Sequence, residues 1–273
     1  MKYLLVLTTF LLGACTQFGA FVANVPSHLN DLPVTTDIEF GDHPLHTLDV
    51  YGTKPDHAPV IVFIYGGRWQ MGNKEMYRFV GDRFAKLGYV VVIPDYQKYP
   101  DVKYPTFAQD GAAAVQWTFD HIAQYGGDPS RVILMGHSAG AHTAAILAAN
   151  ESYGVQNKMK GFVGLAGPYD FVPEAKDVID IFSPVTTDQM QVTTFIDGTE
   201  APMFLLHGGQ DEVVNVTNLE KLKRGIKDQN GRVETKIYPE LDHVDMVKVM
   251  TWIYRDKATV VDDIDAFIKT TLQ

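Results

Sequence analysis

The stretch Val132–Leu147, VILMGHSAGAHTAAIL, sets a serine between two glycines, after an apolar run and before an alanine-rich one. Arg131–Met135 reads as a buried strand, short and apolar with two β-branched residues. Ala139–Asn150 reads as a helix, because Ala and Leu dominate and no proline interrupts. A strand that passes straight into a helix must turn within very few residues, and side chains flanking the turn have little room. Gly136 and Gly140 meet that demand and leave Ser138 at the apex. The pattern is the G-x-S-x-G nucleophile elbow, in which a hydroxyl projects above a central sheet. With 23 glycines in 273 residues, chance supplies roughly 0.03 such matches per chain of this composition. No other stretch constrains the fold as strongly.

The surrounding sequence supplies the sheet. Val34–Tyr51 holds two alternating stretches, VTTDIEF and LHTLDVY, expected to pair as an antiparallel hairpin turned at Gly41-Asp42-His43-Pro44. Apolar strands follow: VIVFIY (60–65), YVVVIP (89–94), the elbow strand, GFVGLA (161–166), MFLLH (203–207) and VETKIY (233–238). Helices are expected between them over Lys74–Leu87, Pro105–Tyr125, Ala139–Asn150 and Val216–Asp228, with a last one over Val260–Leu272. Buried strands alternating with helices predict an α/β fold with a mostly parallel central sheet, an N-terminal antiparallel hairpin and helices on both faces. Residues 34–273 form this domain. The elbow falls on the fifth strand, where the α/β-hydrolase architecture places it, and the chemistry belongs in turns at the carboxyl edge of the sheet.

The N-terminus carries a different signal. MKYLLVLTTFLLGACTQ has one basic residue, Lys2, and then an apolar run from Tyr3 to Leu12, too short to span a bilayer and suited to the core of a secretory signal. It ends in Leu12-Gly13-Ala14-Cys15, and Cys15 is the single cysteine of the chain. This resembles a bacterial lipoprotein signal, with cleavage after residue 14 and a lipid on Cys15. The resemblance implies a membrane-anchored protein of the bacterial cell envelope, in the outer membrane facing the periplasm where the organism has two membranes. Thr16–Pro33, with two prolines and no period, reads with Cys15 as a tether (15–33). A lone cysteine excludes an intrachain disulfide.

Composition removes other classes. The net charge is −10 and no Lys/Arg cluster occurs, which argues against nucleic acid and anionic membrane surfaces as partners. The nine histidines have no metal-ligand spacing, so no metal site is expected.

A serine hydroxyl needs a base to take its proton and a third group to orient that base. In this architecture the acid follows the serine and the histidine comes last. After MFLLH the chain reads Gly208-Gly209-Gln210-Asp211-Glu212, a carboxylate just past a strand end; Asp211 is the choice and Glu212 the alternative. His243 lies in the loop after the last strand. His137 and His142 belong to the elbow and its helix and are expected to pack, and His207 to be a structural hydrogen-bonder. A tetrahedral intermediate needs donors for its oxyanion. The candidates are the backbone N–H of Ala139, after the serine, and those of Gly67 and Arg68, in the turn after VIVFIY.

Tyr65–Trp69, PDYQKYP (94–100), QYGGDPSRVILMGHSAGAH (124–142), GLAGPYDF (164–171) and HGGQDEVV (207–214) resemble the carboxylesterase branch of the α/β-hydrolase superfamily. That branch includes hormone-sensitive-lipase-like, isoprenylcysteine-methylesterase-like and kynurenine-formamidase-like enzymes. The resemblance implies a serine carboxylesterase without cofactor, acting on small ester substrates through a Ser138–His243–Asp211 triad and a Gly67, Arg68 and Ala139 oxyanion hole. Many members begin the oxyanion motif with histidine, where this chain has Tyr65, and Arg68 replaces a third glycine. An amidase or arylformamidase of the same fold, and a catalytically silent envelope binding lipoprotein, are the alternatives. Pro168–Ala201 is expected to hold any cap, with Tyr169, Phe171, Phe182 and Phe195 as candidate pocket aromatics.

Overall fold

The computed structural model describes residues 19–52 and 57–273. The leader 1–14 and Cys15 lie outside them. Eight strands, β1 (Val34–Glu39), β2 (Thr47–Tyr51), β3 (Ala58–Ile64), β4 (Val90–Pro94), β5 (Gly127–His137), β6 (Gly161–Leu165), β7 (Met203–Gly208) and β8 (Val233–Tyr238), form one sheet. Its order is β1-β2-β4-β3-β5-β6-β7-β8. The expected hairpin is present, β1 antiparallel to β2, and β2 continues antiparallel onto β4. Every pair from β4 through β3 to β8 is parallel.

The central strands are apolar because both faces of the sheet are covered: β4 and β6 are buried throughout, as are Val132–His137 of β5. The chain steps from β3 outward to β4 and then back across β3 to β5. Right-handed crossovers in opposite directions put α2 (Arg78–Ala85) on one face and α3 (Thr106–His121) and α4 (Ala139–Ala149) on the other. The reversal opens a crevice at the carboxyl ends of β3 and β5, the place where open α/β sheets hold ligands. All eleven residues of α4 are buried, so an alanine-rich sequence there is a packing requirement as much as a propensity. After β7 come α7 (Thr217–Asp228), β8, a short α8 (Asp245–Lys248) and the last helix, α9 (Val260–Thr271), whose Phe267 stacks on Phe204 of β7.

The tether is corrected in part. Residues 19–28 form a helix, α1, packed on the domain. Asn24 and Ser27 are buried beneath it, and Asn24 bonds both the Glu75 carbonyl and the Phe79 N–H at 2.8 Å. Polar residues face inward here, so the side that docks is not the apolar side by which a packed helix is usually read from sequence. Among the described residues no helix is long and apolar enough to cross a membrane.

Candidate active site

Ser138 joins β5 to α4 with φ 55° and ψ −127°, a conformation that side-chain-bearing residues rarely adopt. Two close approaches enforce it. A Cβ on Gly136 would lie 2.5 Å from the Gly140 carbonyl oxygen, and one on Gly140 would collide with the carbonyl oxygens of Ile64 and Tyr65. The Ser138 N–H donates to the Leu165 carbonyl of β6 at 2.9 Å. From Val132 to Ala149, Ser138 is the one residue that is not buried.

The turns after β7 and β8 at the same sheet edge bring its partners. His243, between β8 and α8, lies with Nε2 2.8 Å from Ser138 Oγ and Nδ1 2.8 Å from Asp211 Oδ2. Asp211, past the end of β7, accepts on Oδ1 from the N–H groups of Val213 at 2.9 Å and Val214 at 2.8 Å. Burial of Asp211 opposes its ionisation, but the bond from His243 and the two amides outweigh it and hold the carboxyl below its usual range. An ionised carboxylate only accepts, so His243 carries its proton on Nδ1 and presents a bare Nε2 to the serine hydroxyl, which donates. The alternative acid, Glu212, is exposed.

Two other histidines brace this arrangement. His137 donates from Nε2 to the His243 carbonyl at 3.0 Å, and burial pushes its pKa down to about 3. It therefore stays neutral beside His243. His207 donates to the Val214 carbonyl at 3.0 Å and so fixes the turn that carries Asp211. His142 points away from the hydroxyl, donating to the Met190 carbonyl at 2.7 Å within a cage of Trp69, Phe171 and Phe182.

The β3 turn runs Tyr65-Gly66-Gly67-Arg68-Trp69, with Arg68 at φ 55° and Trp69 at φ 59°. The backbone N–H groups of Gly67, Arg68 and Ala139 donate to no acceptor among the described residues. Arg68 and Ala139 border the same cavity as Ser138. Tyr65, the first residue of the turn, is buried between Tyr77 and Tyr96, at ring separations of 5.2 and 4.7 Å. Its hydroxyl donates to Asp95, whose carboxylate also accepts the Lys74 N–H, and Tyr96 donates to the Tyr65 carbonyl at 2.8 Å. The turn is thus pinned from beneath.

The cavity over Ser138 has a volume of about 150 Å³. Phe171, Val172 and Val178 from the 168–201 region wall one side, and Val213 and Val214 another. That region contains α5 (Lys176–Phe182) and α6 (Thr187–Met190). Of the four aromatics singled out in it, only Phe171 lines the cavity; Tyr169 and Phe182 are buried core, and Phe195 packs against that core. Arg68 reaches across to Asp177 of α5 at 2.8 Å, and Gln70 joins the same carboxylate at 3.1 Å. Glu174 at the rim was missed, as were Val213 and Val214, although these two directly follow the acid turn that the sequence marks.

Residues 48–193 match the BD-FAE family. The chain belongs to that family. Among curated relatives, the probable isoprenylcysteine alpha-carbonyl methylesterase ICME of Oryza sativa subsp. japonica is 28% identical over 78% of this chain and 58% of its own length. Esterase LipC of Mycobacterium tuberculosis is 30% identical over 71% of this chain and 56% of its own. The chain thus spans little more than half the length of these curated relatives. Among solved structures, a truncated carbohydrate esterase from gut microbiota superposes with a TM-score of 0.77 at 19% identity, covering 88% of this chain and 97% of that one. Esterase B of Lactobacillus rhamnosis gives 0.76 at 20% identity, covering 99% and 98%. The BD-FAE chain described here therefore has the α/β-hydrolase fold that the sequence predicts.

Proposed function

We propose that this BD-FAE chain is a serine carboxylesterase that hydrolyses short-acyl carboxylic esters through an acyl-serine intermediate. The observation that carries the reading is the pair of 2.8 Å contacts running from Ser138 through His243 to Asp211. Ser138 Oγ attacks the ester carbonyl as His243 Nε2 takes its proton, and the new imidazolium is stabilised by the Asp211 carboxylate. The developing oxyanion is received by the N–H groups of Gly67, Arg68 and Ala139. His243 returns its proton to the leaving alcohol, leaving acyl-Ser138. Water, activated by the same imidazole, then releases the acid.

An apolar cavity of about 150 Å³ suits a group of roughly benzene size or a few carbons, which motivates the short-acyl substrate class. The esterase names of the relatives are in keeping with this chemistry. We also propose anchoring in the bacterial cell envelope by a lipid on Cys15, on the strength of the Leu12-Gly13-Ala14-Cys15 sequence. Pre-steady-state hydrolysis of p-nitrophenyl butyrate tests the chemistry: a nitrophenol burst near one equivalent supports it. A slow, burst-free release that survives Ser138→Ala would oppose it.

A further inference from the structure

Helix α1 turns its apolar side outward. At 3.6 residues per turn, Phe21, Val22 and Val25 share one side and Asn24 and Ser27 the other, with Leu29 just past the end. The polar side is the docked one: Asn24 bonds the segment that leads into α2, and the Arg78 guanidinium donates to the Ser27 carbonyl at 3.2 Å. Phe21 is 64% exposed and Leu29 81%. A surface helix of a water-facing protein has the opposite arrangement.

The apolar surface continues onto a second segment. Trp252, Ile253 and Tyr254 are 53%, 47% and 41% exposed, and the Trp252 indole N–H donates to the Val22 carbonyl of α1 at 3.3 Å. The groove joining the two segments is walled by the cations Arg83, Lys86 and Arg255, with Asp82 paired to Lys86 at 2.7 Å and Asp256 to Arg255 at 3.8 Å. Contiguous exposed apolar surface marks an interaction face, and Trp, Tyr and Arg grouped around it match the boundary between acyl chains and headgroups. Cys15 lies four residues before Gly19 of α1, at most ~14 Å even fully extended. A lipid on Cys15 would enter its bilayer beside this face.

We infer that Phe21, Val25, Leu29 and Trp252–Tyr254 seat the domain on a phospholipid bilayer, with Arg83, Lys86 and Arg255 toward the headgroup phosphates. The inference rests on the proposed anchoring for which membrane is met, and adds an orientation that a flexible tether would not impose. Among the described residues none lines both this groove and the cavity over Ser138.

The test reconstitutes the lipidated chain in phosphatidylethanolamine–phosphatidylglycerol vesicles containing lipids brominated near the headgroup. Trp69 is buried and Trp117 partly buried, so Trp252 dominates accessible quenching. The expected result is bromine quenching that Trp252→Phe removes. Phe21→Ser/Leu29→Ser should lower it severalfold while the protein stays in the membrane fraction and its kcat/KM on a soluble ester stays within about twofold. Iodide quenching of Trp252 that is equal with and without vesicles would overturn the inference. So would a concentration-dependent dimer of the Cys15→Ser chain that Trp252→Ser dissociates, since the face would then belong to a second copy. Loss of Cys15→Ser from the membrane fraction is read separately and tests the anchor: a wild type found free of lipid refutes the anchor, while Trp252 quenching on added vesicles still decides the face.

Discussion

The Nε2–H of His137 reaches the backbone carbonyl of His243 at 3.0 Å, so the residue that precedes the candidate nucleophile holds the candidate base by its main chain. The two rings are 4.9 Å apart. A charge on His137 would oppose the imidazolium proposed for His243, and burial keeps His137 neutral. In the proposed mechanism His137 acts as a positioning residue. His137→Phe should lower kcat by roughly 10- to 100-fold with KM nearly unchanged, because small misplacement of a base costs rate before it costs binding. His137→Asn, which retains an N–H donor, should recover much of the loss. Steady-state kinetics on p-nitrophenyl acetate would show the split; equal losses in both variants would leave His137 a packing residue only.

Ser138→Ala and His243→Ala should each lower ester hydrolysis by ~10⁴–10⁶-fold, and Asp211→Asn by about 10⁴-fold, since an amide holds the imidazole in the wrong tautomer. Glu212→Gln should change kcat/KM less than about twofold, because Glu212 is exposed while Asp211 is the carboxylate bonded to His243. A dead Glu212 variant would move the acid by one position.

The cavity size makes acyl length a sharp variable. Each methylene that fits an apolar wall gains up to ~0.8 kcal/mol, so kcat/KM should rise only while there is room. The maximum is expected at acetyl or butyryl esters, with a fall by octanoyl. Phe171→Ala, which removes a wall of the cavity, should move the optimum to longer chains. A wild-type maximum at octanoyl or beyond would contradict the short-acyl assignment.

Acid stability carries the mark of the buried histidines. Burial holds the pKa of His137 at about 3 and that of His142 at about 4, whereas an unfolded histidine titrates near 6.5. Below pH 6.5 the unfolded chain therefore binds protons that the native chain refuses. Their contribution is complete above about pH 6.5 and is lost as pH falls toward the native values, by roughly 2 kcal/mol per histidine at pH 5. Urea midpoints should drop steadily from pH 7.5 to pH 5. His142→Gln, which can still donate to the Met190 carbonyl, should flatten that slope; an unchanged slope would show that His142 is not among its sources.

What was legible in the sequence lies next to glycine. Ser138 is flanked by Gly136 and Gly140, Gly67 and Arg68 follow Gly66, and Asp211 follows Gly208-Gly209, so each strand end announces itself. The parallel sheet was readable for the reason that β4 and β6 are buried on both faces and therefore apolar throughout. What was hidden depends on distant contacts. Helix α1 reads as tether in the sequence because Asn24 and Ser27 find their partners some fifty residues away, on the segment 75–79, and face inward. Tyr65 is intelligible only with Asp95 and Tyr96 beside it, about thirty residues on. Arg68 meets Asp177 more than a hundred residues later, and no local pattern foretells that pairing.

The central claim is that Ser138 becomes acylated in turnover, and a fluorophosphonate reads this most directly. The purified chain is incubated with the reagent, residual hydrolysis of p-nitrophenyl acetate is followed, and the adduct is located by tandem mass spectrometry. One adduct per chain is expected, on Ser138, formed in step with loss of activity, absent from Ser138→Ala and strongly slowed in His243→Ala. Full activity with the reagent bound, or an adduct on any other residue that accompanies inactivation, would contradict it.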